Sequence, residues 1–307
     1  MKKTLTVIAF LAVLAVIGAG VVNWVNSRDS ADLGLPEQVL PEQGPEQGPE
    51  QPNWCPSVEF ISAPGTWESA ADDDPMNPQA NPKSFMLTVS APLAEAYDPA
   101  HVKAWTLPYT AQFKNINSKE EMSYDDSREE GTARLNAELE ATHAQCPLTD
   151  FILAGFSQGA VIVGDVASEI GNGRGVIPAD RVRGAAVVAD GRRVAGVGQV
   201  PGAHVHGVGA EVALQPLSGL VQPIVPGATM RGPREGGYGE LDGRVQDICA
   251  PSDSICDAPP DVGNALARAR ELVEANGIHA MYATNPDVIP GTTTNLWLVE
   301  WAKGLIG

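Results

Sequence analysis

Basic residues are scarce in this chain of 307, where 20 Lys and Arg stand against 38 Asp and Glu for a formal charge of −18. Nucleic acid and anionic lipid surfaces repel so negative a molecule, which excludes a polyanion-binding role, and no nucleic-acid partner is expected. Charge of either sign is confined to 19% of the residues while 43% are hydrophobic, enough apolar chain to bury one sizeable core. The acidity serves to keep a protein soluble, and a monomer is expected. Cysteine is limited to four residues without the paired Cys-x-x-Cys spacing of structural zinc, and histidine to five, so no metal or cofactor is expected.

The N-terminus carries what the rest lacks, a long uncharged run. Lys2 and Lys3 precede apolar residues 5–22, with Trp24 and Val25 beyond. The length suits a membrane-spanning helix of about 20 residues, whereas the small-residue cleavage signal of a secretory leader is weak, around Ile17-Gly18-Ala19. Residues 1–26 therefore read as a membrane anchor with Lys2 and Lys3 inside, or as a signal segment, and either fate places the remainder outside the cytoplasm. Residues 27–53 repeat Pro-Glu-Gln units with too few apolar groups to offset chain entropy, and read as a disordered spacer before a domain at 54–307.

On the exported side, Cys55, Cys146, Cys249 and Cys256 read as two disulfides, with three formal pairings open. Cys249 and Cys256 are near enough to close a small loop, which leaves Cys55 with Cys146. In the chain-entropy view the short loop contributes roughly 2.5 kcal/mol and the long one roughly 4.5 kcal/mol.

Strands are expected at 58–62, 102–107, 150–155 and 183–189, and helices at 83–97, 127–143, 158–170, 261–276 and 295–305. This alternation predicts an α/β fold with a doubly wound, mostly parallel sheet. Gly155-Phe156-Ser157-Gln158-Gly159 has the G-x-S-x-G form of a nucleophile elbow, with the required strand before it and helix after it. Ser157 at a helix N-terminus would face free backbone N–H groups and the positive end of the dipole.

In that fold the triad runs Ser, acid, His along the chain, which removes His101 and His143. His204 and His206 read as a solvent-facing pair or a weak metal pair. His279, at a loop entry beyond the helix ending near Gly277, is the best base. Among the carboxylates between Ser157 and His279, Asp253 alone lies inside the expected Cys249–Cys256 loop, with Asp257 and Asp247 behind it. Asp190 reads as a helix cap or turn residue.

These residues resemble the cutinase family of serine esterases over about 55–307. The likeness rests on Cys146-Pro before the Gly-Phe-Ser-Gln-Gly elbow, on Cys249-x-x-x-Asp253-x-x-Cys256, and on His279-x-x-Tyr282. It implies an α/β-hydrolase with an oxyanion hole formed by Gln158 and by Thr66 in the turn Gly65-Thr66-Trp67-Glu68. The N-terminal segment and the spacer are similar to anchored cutinase-like lipases of mycolic-acid bacteria. That subgroup implies phospholipase A and thioesterase activity on lipid esters or thioesters, and a part in envelope maintenance. An acyltransferase shares every catalytic residue, and a lipid-binding protein with vestigial chemistry shares the fold. Residues 212–230, rich in Leu and Val, read as an acyl-chain wall or flap or as ordinary core, and Trp67 as a pocket or packing residue.

Overall fold

Strands covered on both faces read as unbroken apolar runs rather than as alternations, and three segments here have that character. β1 (Val58–Ala63) is buried at every residue, and β3 (Asp150–Phe156) and β4 (Val182–Val188) are buried but for one charged side chain each. With β2 (Val102–Thr106) and β5 (Val245–Ile248) they form a five-stranded parallel sheet in the order β2-β1-β3-β4-β5. The computed structural model describes residues 51–260 and 277–307, together with Ala267 and Arg270. The expected anchor or signal segment, nearly all of the spacer and most of the helix expected at 261–276 lie outside the described residues. Among the described residues no helix is long and apolar enough to cross a membrane.

Period-two alternation sends the strand side chains to two cores. Phe60, Ile152, Ala154 and Val188 pack under helices α1 (Leu87–Ala96) and α6 (Thr294–Ile306). Ile61, Leu153, Ala185 and Val187 pack under α2 (Tyr124–Gln145) and α3 (Gln158–Gly171). Two short helices, α4 (Ala210–Leu214) and α5 (Ser218–Val221), follow β4.

Most elements fall where expected, and the shifts have local causes. Helix α2 begins at Tyr124, earlier than position 127, because Ser123 caps it by accepting a hydrogen bond from the Asp126 N–H. Helix α1 begins at Leu87, later than position 83, because Asn81 and Glu68 take the Lys83 and Phe85 N–H groups into a turn. Strand β5 was not expected. The disulfides are Cys55–Cys146 and Cys249–Cys256, with Cα–Cα distances of 5.5 and 5.9 Å.

The connectivity itself marks a place for chemistry. From β1 the chain runs outward to the edge strand β2 and then returns past β1 to β3, so the order reverses between β1 and β3. In open parallel sheets ligands bind beyond the carboxyl ends of the strands at such a switch point. Here those ends are the turn at Gly65 and the elbow at Ser157.

A carboxyl group is buried within the central strand β1. Glu59 of β1 is fully buried, with Lys103 Nζ from β2 at 2.9 Å, and Lys103 also contacts Glu138 of α2. Two carboxyl groups share one ammonium, and burial pushes the pKa of Glu59 up to about 7. An acid raised in the folded state binds its proton more tightly there. The stabilisation is therefore complete below the ordinary value of 4.5 and is lost as pH rises to about 7. Glu59→Gln is accordingly expected to raise stability at pH 8 by up to about 3 kcal/mol relative to the unsubstituted chain and to change little at pH 5. Thermal unfolding at the two pH values checks this, and an equal shift at both would rule out the protonation account.

Candidate active site

A Cβ at Gly159 would fall 2.0 Å from the Ala63 carbonyl oxygen, and one at Gly155 2.3 Å from that of Gly159. Only glycine lets β1, β3 and α3 approach so closely, and this proximity makes the turn sharp. Ser157 at its apex is held at φ 54°, a left-handed conformation that non-glycine residues avoid, with its N–H donated to the Val188 carbonyl at 2.9 Å.

The structure brings Ser157, His279 and Asp253 together across the sheet ends. His279 Nε2 lies 2.9 Å from Ser157 Oγ, and His279 Nδ1 lies 2.9 and 3.2 Å from the two Asp253 oxygens. The imidazole stacks on Phe156 with ring centroids 5.1 Å apart and planes inclined by 23°. Asp253 is fully buried, in the loop closed by Cys249–Cys256, and its Oδ1 also accepts the Ile255 N–H at 3.0 Å. The two reserve carboxylates are engaged elsewhere. Asp257 accepts the Gly207 and Ser252 N–H groups, and Asp247 faces Arg193 at 2.7 Å. This is the geometry of an activated nucleophile: a hydroxyl in reach of a base whose second nitrogen is oriented by an acid.

Thr66 and Gln158 meet on the other side of Ser157. Gln158 Nε2 donates to Ser127 Oγ at 2.9 Å, and Ser127 in turn donates to the Thr110 carbonyl. That chain fixes the amide, leaving Gln158 Oε1 to accept the Thr66 hydroxyl at 3.1 Å. The N–H of Gln158, first residue of α3, has no helical carbonyl to bond and can turn toward a developing oxyanion.

Sequence reasoning did not single out Glu68, which clamps this turn. Its Oε2 accepts Gly65 N–H at 2.9 Å and Ser84 Oγ at 3.1 Å, and its Oε1 accepts Phe85 N–H at 2.9 Å. Burial pushes its pKa up, against those hydrogen bonds. Its position three residues after Gly65 in the turn was the available signal. Trp67 between them is held at φ 62°, donating its backbone N–H to Ala111 and its indole N–H to Glu121. Its ring remains half exposed on the cavity rim.

A cavity of about 410 Å³ surrounds Ser157, walled by Phe85, Phe113, Tyr124, Val161, Met230 and Ile255 among others. Residues 212–230 contribute both to packing and to the cavity. Leu214, Val221, Ile224 and Val225 pack with Tyr124 and Phe113 as a small core of their own, while Met230 lines the cavity. The wall is anchored by a cluster of charges. Asp165 of α3 accepts from Arg192, Arg231 and Arg234, Arg234 also pairs with Asp190, and Arg231 with Glu211. Glu211, which lines the cavity, further accepts the Tyr124 hydroxyl at 2.7 Å. Asp190, read as a cap or turn residue, does accept the Arg192 N–H two residues on, but it is chiefly a buried partner of Arg234.

His204 and His206 are exposed, and among the described residues no group of three or more His, Cys, Asp or Glu side chains is placed to hold a metal ion.

Residues 54–276 match the cutinase family model. The chain is 66% identical over all 307 of its residues, and 99% of the relative's length, to a protein of Corynebacterium glutamicum called carboxylesterase Culp6 homolog. Its fold is similar to an iodinated complex of acetyl xylan esterase, with a TM-score of 0.52 at 17% identity, covering 82% of this chain and 100% of that one. A cutinase-like protein from Cryptococcus sp. also aligns with a TM-score of 0.52, at 18% identity, over 84% of this chain and 98% of the other. At those identities the two structures speak to the fold alone.

Proposed function

The chain belongs to the cutinase family and is a carboxylic-ester hydrolase, and from that premise we propose that Ser157, His279 and Asp253 are its catalytic triad and that it cleaves lipid esters and thioesters outside the cytoplasm. The observation that carries the reading is the 2.9 Å approach of His279 Nε2 to Ser157 Oγ inside a cavity with apolar walls. His279 takes the proton of Ser157 as its oxygen attacks the acyl carbon, and Asp253 holds the imidazole in the required tautomer and stabilises the imidazolium. Backbone N–H groups at Gln158 and Thr66 receive the charge that develops on the carbonyl oxygen. His279 then returns its proton to the departing alcohol or thiol and activates the water that releases the acid.

Phe113, Val161, Met230 and Ile255 offer an acyl chain a dry surface, which supports a lipid rather than a small polar ester. The apolar run in residues 1–26 supports action at the cell membrane or beyond it, and the acidity of the chain supports a monomer. The full-length relatedness to a corynebacterial carboxylesterase supports ester hydrolysis, and the resemblance to anchored cutinase-like lipases supports phospholipase A and thioesterase chemistry in the lipid metabolism of a mycolic-acid envelope.

The test is fatty-acid release by the full chain from phosphatidylcholine vesicles and from palmitoyl-coenzyme A, beside hydrolysis of p-nitrophenyl acetate. Release from either long-chain substrate is expected. Turnover of p-nitrophenyl acetate with no acid released from vesicle or thioester would sink the lipid reading and leave the esterase intact.

A further inference from the structure

The Tyr282 side chain sits behind the acid of the proposed triad with its proton already committed. Its hydroxyl oxygen accepts the Ala250 N–H at 2.9 Å, and it lies 2.8 Å from Asp253 Oδ2. The Ala250 N–H only donates, and the disulfide sulfur of Cys256, 3.4 Å away, is a weak acceptor beside a carboxylate, so the phenolic proton points at Asp253. The ring is almost fully buried, edge-on to Phe156 and Phe85 at 5.6 and 6.2 Å, while the Tyr282 carbonyl accepts Thr294 N–H at the start of α6. Phenol and acid are thereby set by separate elements.

We propose that Tyr282 is a positioning residue of this active site, whose hydroxyl donates to Asp253 and holds it aimed at His279; the proposal rests on the triad reading above. Asp253 is fully buried, and a buried carboxylate stays ionised only if donors replace the water it has lost. Oδ2 receives two, from His279 and from Tyr282. Burial, and then the charge of Asp253, hold the pKa of the phenol well above its ordinary value, so it remains a donor throughout the working range. Without it Asp253 becomes a stronger acceptor and binds the His279 proton more tightly. The base is then occupied up to a higher pH, and the acidic limb of the rate profile moves up.

The other ionisable groups near the pair are Glu68 in the turn after β1, Asp247 on β5, Asp257 in the disulfide loop, and Lys83 and Glu211 on the cavity wall. Tyr282→Phe leaves all of them in place and retains the ring packing. For the full-length chain with p-nitrophenyl butyrate, kcat is expected to fall about tenfold with KM within about twofold, and the acidic limb of kcat/KM to rise by about half a pH unit or more. A purely structural role lowers activity by the same factor at every pH. The ratio of fluorophosphonate labelling rates at pH 6 and pH 8 does not depend on how much of the variant folds, and it falls if the proposal is right. An unchanged ratio and an unmoved limb overturn the role of Tyr282 while Ser157→Ala remains inactive. Activity surviving in Ser157→Ala overturns the triad reading instead.

Discussion

Replacing Ser157 with alanine is expected to lower kcat for p-nitrophenyl butyrate by about a million-fold and to leave KM nearly unchanged. The oxygen of Ser157 is the atom that becomes acylated in the proposed mechanism, and among the described residues the other hydroxyls lining the cavity are engaged, that of Thr88 with the Phe85 carbonyl and that of Tyr124 with Glu211. The Thr66 hydroxyl is turned to Gln158, and that of Ser127 to Thr110. What survives is substrate held against the oxyanion donors, a residual acceleration of about a thousandfold over water. His279→Ala should cost about as much, and the double substitution little more than either, because nucleophile and base act as one unit. Asp253→Asn should cost about ten-thousandfold by presenting the wrong tautomer. Steady-state rates and fluorophosphonate labelling on the same preparations check the series. A folded Ser157→Ala chain retaining more than about 1% of the activity would contradict the assignment.

The largest stability effect is expected at a residue that touches no substrate. Burial works against the charge of Asp165, but Arg234, Arg231 and Arg192 outweigh it and hold its pKa at about 2. A depressed carboxylate stabilises the fold above its ordinary value of 3.8, and that contribution disappears as pH falls toward 2. Asp165→Asn removes the anion and leaves three guanidinium groups facing two carboxylates. Breaking a buried pair from one side typically costs about 3 to 5 kcal/mol, which lowers the melting temperature by roughly 10 °C in a domain of this size. Arg231 joins this cluster to Glu211 on the cavity wall and adjoins Met230, so KM for long acyl chains should rise more than KM for acetate. Thermal unfolding at pH 7 and pH 3 gives the check. The deficit of Asp165→Asn should be smaller at pH 3, and the exposed pair Arg174–Glu169 should show no comparable loss when Glu169→Gln is made.

What could be read from the sequence is what local rules govern. The run from Asp150 to Gly159 announces a buried strand, a tight turn and a helix, and the order of Ser157, Asp253 and His279 leaves few alternatives. The disulfides followed from spacing alone, since Cys249 and Cys256 are near neighbours in the chain. Strand β5 escaped because Val-Gln-Asp-Ile is four residues long with polar groups at its centre, and it becomes a strand only through pairing with β4. The charge cluster escaped for a different reason. Asp165, Arg192, Arg231 and Arg234 are spread over some seventy positions, and each alone reads as surface. Tyr282 could be seen as part of a motif, but not as a donor, because its partners Ala250 and Asp253 meet it only in three dimensions.

The Cys55–Cys146 bond has a consequence for how the molecule comes to be assembled. The two sulfurs lie just ahead of β1 and β3, the adjacent central strands, and at the same end of both. Parallel neighbours so distant in sequence are slow to find one another, because a long loop must close before any pairing rewards it. Here that closure, over a separation of 91 residues, can be made covalent before the sheet exists. A newly made chain that oxidises first has its central strands tethered at the correct ends, and the rest of the pairing proceeds outward from there. A chain kept reduced must make that search unaided while its apolar strands stand exposed to aggregation. A reductant encountered during folding therefore does more harm than the same reductant met by the finished enzyme, in which both sulfurs are buried.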